Sequence, residues 1–78
     1  MKATIISPEE TLFEGDIHLI QVPGTKGSFE VLENHAPIIS TLDKGQIRVV
    51  TKDGQELNFD IESGFIEVND NTVNVLVM

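Results

Sequence analysis

Leu57-Asn58-Phe59-Asp60-Ile61 and Val73-Asn74-Val75-Leu76-Val77 place apolar side chains at every second position. Successive side chains of an extended chain point to opposite faces, so a period of two builds strands that are apolar on one side. No segment of the chain carries a helical stripe, and turn chemistry recurs at short intervals. It falls at Ser7-Pro8, Gly15, Pro23-Gly24, His35 to Pro37, Asp43-Lys44-Gly45, Asp53-Gly54 and Asn69-Asp70-Asn71. Gly and Asn tolerate positive φ and Pro fixes it near −65°, so each cluster interrupts a strand.

Two hairpins follow directly. Asp53-Gly54 joins 46–52 to 55–61, on the expectation that both central residues take positive φ, and Asn69 to Asn71 joins 64–68 to 72–78 in the same way. Many short strands with such turns make an all-β fold, a flattened antiparallel β-sandwich or barrel in two sheets. The inward set comprises Ile5, Phe13, Ile20, Val22, Phe29, Val31, Ile47, Val49, Leu57, Phe59, Ile61, Val73 and Val75. A bulge is expected between Ile17 and Ile20, where the alternation loses phase.

The chain has 78 residues, which suits a single domain over 1–78 with a small core. It lacks cysteine, so neither a disulfide nor a thiolate enters the reading. Thirteen acidic residues against five basic ones give a net charge of −8, which repels phosphate backbones and makes nucleic acid an unsuitable partner. Without Trp or Tyr there are few stacking platforms for bases. The N-terminus carries neither a signal-peptide nor a transit-peptide pattern, and no run approaches the ~20 apolar residues of a membrane span. These features point to a cytoplasmic protein that reaches a membrane only by docking on something that spans it.

Sites for chemistry are sparse, and neither catalytic residues nor a metal or cofactor site is expected. His35 lies near Glu33, but a turn histidine that contacts backbone or a partner is the simpler reading. His18 and Asp16 share a solvated strand face. Glu9, Glu10, Glu14 and Asp16 lack the spacing of a calcium loop. Pro23-Gly24-Thr25-Lys26-Gly27 lacks the length, the Lys-Ser/Thr ending and the following helix of a phosphate loop. Gly24 and Gly27 are expected to take positive φ and, with Pro23, to hold Thr25 and Lys26 on a stiff projection suited to docking. Ala36-Pro37 then turns the chain into Ile38 and Ile39, and Gly45, Gly54 and Gly64 mark further turns.

The order of these motifs, Ile5-Ile6-Ser7-Pro8, Phe13-Glu14-Gly15, Pro23-Gly24, Gly27-Ser28-Phe29, His35-Ala36-Pro37, Leu42, Gly45-Gln46-Ile47-Arg48, Gly64-Phe65-Ile66-Glu67-Val68 and Val73-Asn74-Val75-Leu76, resembles the N-terminal domain of the epsilon subunits of rotary ATP synthases. The resemblance implies a sandwich of about ten strands in the central stalk, bound to the gamma subunit and the c-ring and, through gamma, serving the catalytic head. It implies ring contacts at Gly24, Thr25, Lys26, Gly27 and Ser28, and gamma contacts at Ser7, His35, Ser40, Glu62 and Glu67. Ser28 stands where family members carry an acid, a role that Lys26 or Glu30 would have to take. The same resemblance implies a non-catalytic subunit, peripheral on the cytoplasmic side of a bacterial inner membrane, here without the family's C-terminal helical hairpin. A freestanding acidic adaptor or ligand-binding module is the alternative.

Overall fold

The computed structural model describes residues 1–78, and every regular element in it is a strand. β1 spans Lys2–Ile6, β2 Thr11–Gly24, β3 Gly27–Leu32, β4 Ile38–Leu42, β5 Gly45–Thr51, β6 Glu56–Ile61, β7 Gly64–Asn69 and β8 Thr72–Val77. Eight strands therefore replace the expected ten. One of the two is accounted for by β2, whose 14 residues serve both layers and count once. Its first half pairs with β1, its second half with β3 and β5, and Gly24 at its end meets Leu42 of β4.

One layer thus runs β4-β7-β8-β1 and onto the start of β2; the other runs β3-β2-β5-β6. All pairings are antiparallel except β1 with β8, which is parallel. The expected purely antiparallel arrangement is corrected at that one ladder. It seats the last strand between β1 and β7, so the apolar run ending the sequence is paired internally.

The expected bulge is present: the β2–β5 register shifts between Ile17 and Leu19, and the long strand passes there from one layer to the other. Gly15 sits inside β2 opposite Ala3, not in a turn. The Phe13 ring packs over it, 3.4 Å from where a β-carbon would stand. Pro23, Gly45 and Gly64 likewise belong to strands.

The 69–72 hairpin closes on Asp70 and Asn71, both at positive φ, the two-residue turn whose twist suits antiparallel strands. The 51–55 hairpin differs from expectation, because only Gly54 takes positive φ. Gly54 N–H donates to Thr51 O at 3.0 Å and Thr51 N–H to Gln55 O at 2.9 Å, and the Thr51 hydroxyl accepts from Gln55 N–H at 3.0 Å. A threonine acceptor inside the loop favours this longer turn over the tight one.

Sixteen buried side chains form the core between the layers. Ile5, Ile20, Val22, Val31, Ile47, Val49, Ile61, Val73 and Val75 are inside as expected, and Phe13, Phe29, Leu57 and Phe59 close its rims half-buried. Met1, Ala3, Ile17, Leu42, Ile66, Val68 and Val77 complete it.

Candidate functional site

The two layers present very different outer faces. On β3-β2-β5-β6 the outward row Glu30, Gln21, Arg48 and Asn58 crosses all four strands in register. Arg48 donates from Nε to Gln21 Oε1 at 3.0 Å and from its guanidinium to Glu30 at 3.2 Å, with Glu56 at 3.6 Å. Gln21 donates onward to Ser28 Oγ at 3.3 Å. That row is a polar ladder satisfied within the chain; the next row on the same face is Leu32, Leu19, Val50 and Glu56, with Leu32 52% exposed.

The outer face of β1-β8-β7-β4 is the opposite. One row across it reads Ile6, Leu76, Phe65, Thr41, and the next Thr4, Asn74, Glu67, Ile39. Ile6, Leu76, Phe65 and Ile39 are 39, 44, 40 and 65% exposed, although the residues beside them in sequence, Ile5 and Ile66, are fully buried. Side chains of Thr4, Ile6, Phe65, Glu67, Asn74 and Leu76 line a shallow depression of about 140 Å³ there. Glu67 is the carboxylate of this patch and takes no part in the four ion pairs of the chain. A clustered apolar surface beside an unpaired charge is the physical signature of a docking face.

The expected projection is a hairpin tip. Gly24 pairs with Gly27, and Thr25 and Lys26 are exposed between them. Gly27 takes φ 126°, as expected, but Gly24 is required for a different reason. A β-carbon on it would lie 2.8 Å from Gly27 O and 2.8 Å from the Phe29 ring. The tip is braced on β4: Thr25 N–H donates to Thr41 O at 3.0 Å, the two threonine hydroxyls meet at 2.9 Å, and Asp43 N–H donates to Pro23 O at 2.8 Å. Gly24, Thr25, Lys26, Gly27 and Ser28 are thus brought together in one stiff element.

Ser7, His35, Ser40, Glu62 and Glu67 are spread more widely. Ser7 caps the turn into β2, its N–H and hydroxyl donating to Glu10 O and its hydroxyl accepting from Glu10 N–H at 3.2 Å. Glu62 is exposed in the β6–β7 turn, next to the end of β8 through Glu62 N–H to Met78 O at 3.2 Å. Ser40 stands across from the buried Ile66, half-buried, and lines a groove beside the hairpin tip. Glu67 alone lies on the apolar outer face.

His35 belongs to a turn that is tied down on several sides. Asn34 sits at φ 62°, His35 N–H donates to Leu32 O at 3.2 Å, and the ring Nδ1 lies 2.7 Å from Ala36 O. Its neighbour Glu33 receives the Met1 α-ammonium at 2.6 Å, Lys52 Nζ at 3.1 Å and Asn71 Nδ2 at 3.0 Å, while Asn71 Oδ1 accepts from Asn34 N–H at 2.9 Å. These donors, first the ammonium, then Asn71, then Lys52, lower the Glu33 pKa from 4.5 to about 2. Glu33 and His35 share no hydrogen bond; the Glu33 carboxylate and His35 Nδ1 are engaged by other partners.

The apolar outer row was not legible as a site in the sequence. The signal that could have found it is Phe65-Ile66 and Val75-Leu76-Val77, apolar on consecutive residues where a one-sided strand would alternate.

Comparison with known proteins matches residues 1–78 to the family described as the β-sandwich domain of the ATP synthase delta/epsilon chain. An ATP synthase epsilon chain of Leptospira borgpetersenii is 43% identical over 77 residues, covering 97% of this chain and 59% of the relative. One of Caulobacter vibrioides is 40% identical over 74 residues, covering 94% and 84%. The chain spans about three-fifths of the length of the first curated relatives it matches. Among solved structures, a chain of the Euglena gracilis mitochondrial ATP synthase (OSCP/F1/c-ring, rotational state 1) superposes with a TM-score of 0.89 at 23% identity, over 96% of this chain and 48% of that one. A chain of the Tetrahymena thermophila mitochondrial ATP synthase central stalk/c-ring gives 0.82 at 21%, over 100% and 63%. At those identities the likeness concerns the fold.

Proposed function

Since the chain belongs to the β-sandwich family of ATP synthase delta and epsilon chains, we propose that it works as the epsilon-type element of a rotary ATP synthase central stalk. In this reading it grips the gamma subunit and rests on the c-ring, so that ion-driven rotation of the ring reaches the catalytic head. It transmits torque and carries out no chemistry itself. The complex would hold it at the cytoplasmic side of a bacterial inner membrane; no helix of the chain is long and apolar enough to cross one.

The observation that carries the reading is the apolar cluster on the outer face of β1-β8-β7-β4. A stalk element turning with its neighbour needs one broad apolar contact. The row Ile6, Leu76, Phe65 with Ile39 supplies it beside the unpaired Glu67, whereas the polar row of the other face is already satisfied by Arg48 within the chain. We assign the gamma subunit to the apolar face, with Glu67 meeting a cation of gamma, and keep Ser7, His35, Ser40 and Glu62 as contacts at its margins. The braced tip Gly24, Thr25, Lys26, Gly27 and Ser28 is assigned to the polar loops of the c-ring. Bracing by Thr41 and Pro23 O suits an element that must bear shear without slipping.

The test is reconstitution of the chain with purified gamma subunit and c-ring, read by stoichiometry in size-exclusion chromatography with light scattering. One copy per gamma, lost on Phe65→Glu but not on Asn58→Glu, is the expected result. No complex with gamma at micromolar concentration would sink the stalk role and leave a freestanding module.

A further inference from the structure

The sandwich has an open seam between β3 and β4. β3 pairs only with β2, and β4, apart from its ladder with β7, touches β2 only at Gly24↔Leu42. Thr41 O accepts from Thr25 N–H, so Thr41 directs its backbone away from β7. Backbone direction alternates along a strand, and Ile39, two residues earlier, points the same way. No strand lies there, because the chain has already turned at Thr25 and Lys26.

An open edge is a hazard that proteins usually blunt with charges. The chain does this elsewhere: edge strand β6 carries Glu56 and Asp60. β4 carries no charged residue from Pro37 to Leu42, and the one charge inside β3, Glu30, is paired with Arg48. Between the two edges lies a groove of about 520 Å³, lined by half-buried Phe29 and Ile38, exposed Ile39 and the hydroxyls of Thr25, Ser28, Ser40 and Thr41. Its only charged lining residue is Lys26, in a chain of net charge −8.

From this undefended edge we infer that the β3–β4 seam is a strand-addition site. It takes an extended segment of a partner that hydrogen-bonds to the backbone of Ile39, alternates apolar and hydroxyl side chains along the groove, and places a carboxylate against Lys26. The added strand lies about 4.8 Å from β4, the ordinary inter-strand spacing. The site borders the apolar outer face at Ile39 and shares Thr25, Lys26 and Ser28 with the tip assigned to the c-ring, but the peptide test reads it in the chain alone, so its failure is distinguishable from failure of the stalk role.

The probe is a capped peptide of alternating valine and threonine with glutamate at both ends, compared with the same peptide ending in lysines. Binding is read by amide chemical shifts of the isotopically labelled full chain. Shifts at Ile39, Thr41 and β3, with at least tenfold weaker binding of the lysine peptide, are expected. Lys26→Glu should reverse that preference. Ile39→Pro removes the N–H offered to the segment and should abolish the shifts, while Ile39→Val keeps them. No shifts at millimolar peptide, equal affinity of both peptides, or shifts confined to Ile6, Phe65 and Leu76 would overturn the assignment.

Discussion

Gly24 and Gly27 face each other across the hairpin tip so closely that a β-carbon on Gly24 would stand 2.8 Å from the Gly27 carbonyl oxygen. The Phe29 ring closes the same space at 2.8 Å and cannot withdraw without opening the core rim. Gly24→Ala should therefore cost about 1–3 kcal/mol, the usual range for overpacking. Urea denaturation checks the figure. Thr25→Ala removes only the exposed hydroxyl contact with Thr41 and should cost about 1 kcal/mol or less.

Glu33 gives the chain an acid limb with a defined window. Its pKa of about 2 in the fold lies below the 4.5 of the free side chain, so the unfolded chain binds more protons between those values. The stability it contributes is complete above pH 4.5 and is lost as the pH falls through about 2. In Glu33→Gln the melting temperature should depend less on pH across that window than in the parent. Identical slopes would mean that the Met1, Asn71 and Lys52 contacts do not hold the carboxylate in solution.

How far the sequence could be read depended on whether a strand was apolar on one side or both. β6 and β2 from Ile20 onward alternate cleanly, and there Ile20, Val22 and Ile61 emerge as core directly from spacing. β7 does not alternate: Phe65 points out while Ile66 and Val68 point in, so spacing alone fixes no phase, and both core residues escape notice. The same ambiguity hid the apolar outer face, because the apolar residues that spoil the alternation are the ones that form it. Gly15 was misread for another reason, since glycine under an aromatic ring inside a strand looks in sequence like glycine in a turn. The hairpin tip was legible because its turn chemistry is local; its bracing by Thr41 is a long-range contact that no local pattern reports.

Leu76 separates docking from folding. Its side chain is 44% exposed in the isolated chain, so Leu76→Gln should change unfolding stability by only about 0.5 kcal/mol. Fully burying a leucine is worth about 1.5–3 kcal/mol, and a partner can cover only the exposed 44% of Leu76, so the same change should weaken binding to the gamma subunit by about 0.7–1.3 kcal/mol, roughly 3- to 10-fold. Titration calorimetry with gamma measures it. Unchanged affinity would remove the apolar row from the interface.

The β7–β8 turn sets two preferences of Asn71 against each other. Asp70 and Asn71 hold φ of 51° and 58°, a conformation that costs most L-residues about 1–2 kcal/mol and glycine little. Asp70→Gly, whose side chain makes no cross-strand bond, should therefore stabilise the chain by about 0.5–1 kcal/mol. Asn71→Gly gains the same backbone relief but loses the bonds from Asn71 Nδ2 to Glu33 and from Asn34 N–H to Asn71 Oδ1. Those bonds anchor the His35 turn to the β7–β8 turn at the same end of the sheet, and Asn71 is also the second-largest cause of the depressed Glu33 pKa. Asn71→Gly should lower the melting temperature, read by circular dichroism, and raise the Glu33 pKa toward 4.5, read by NMR titration of the carboxyl carbon. A higher melting temperature with an unmoved Glu33 would show that turn strain outweighs the anchor.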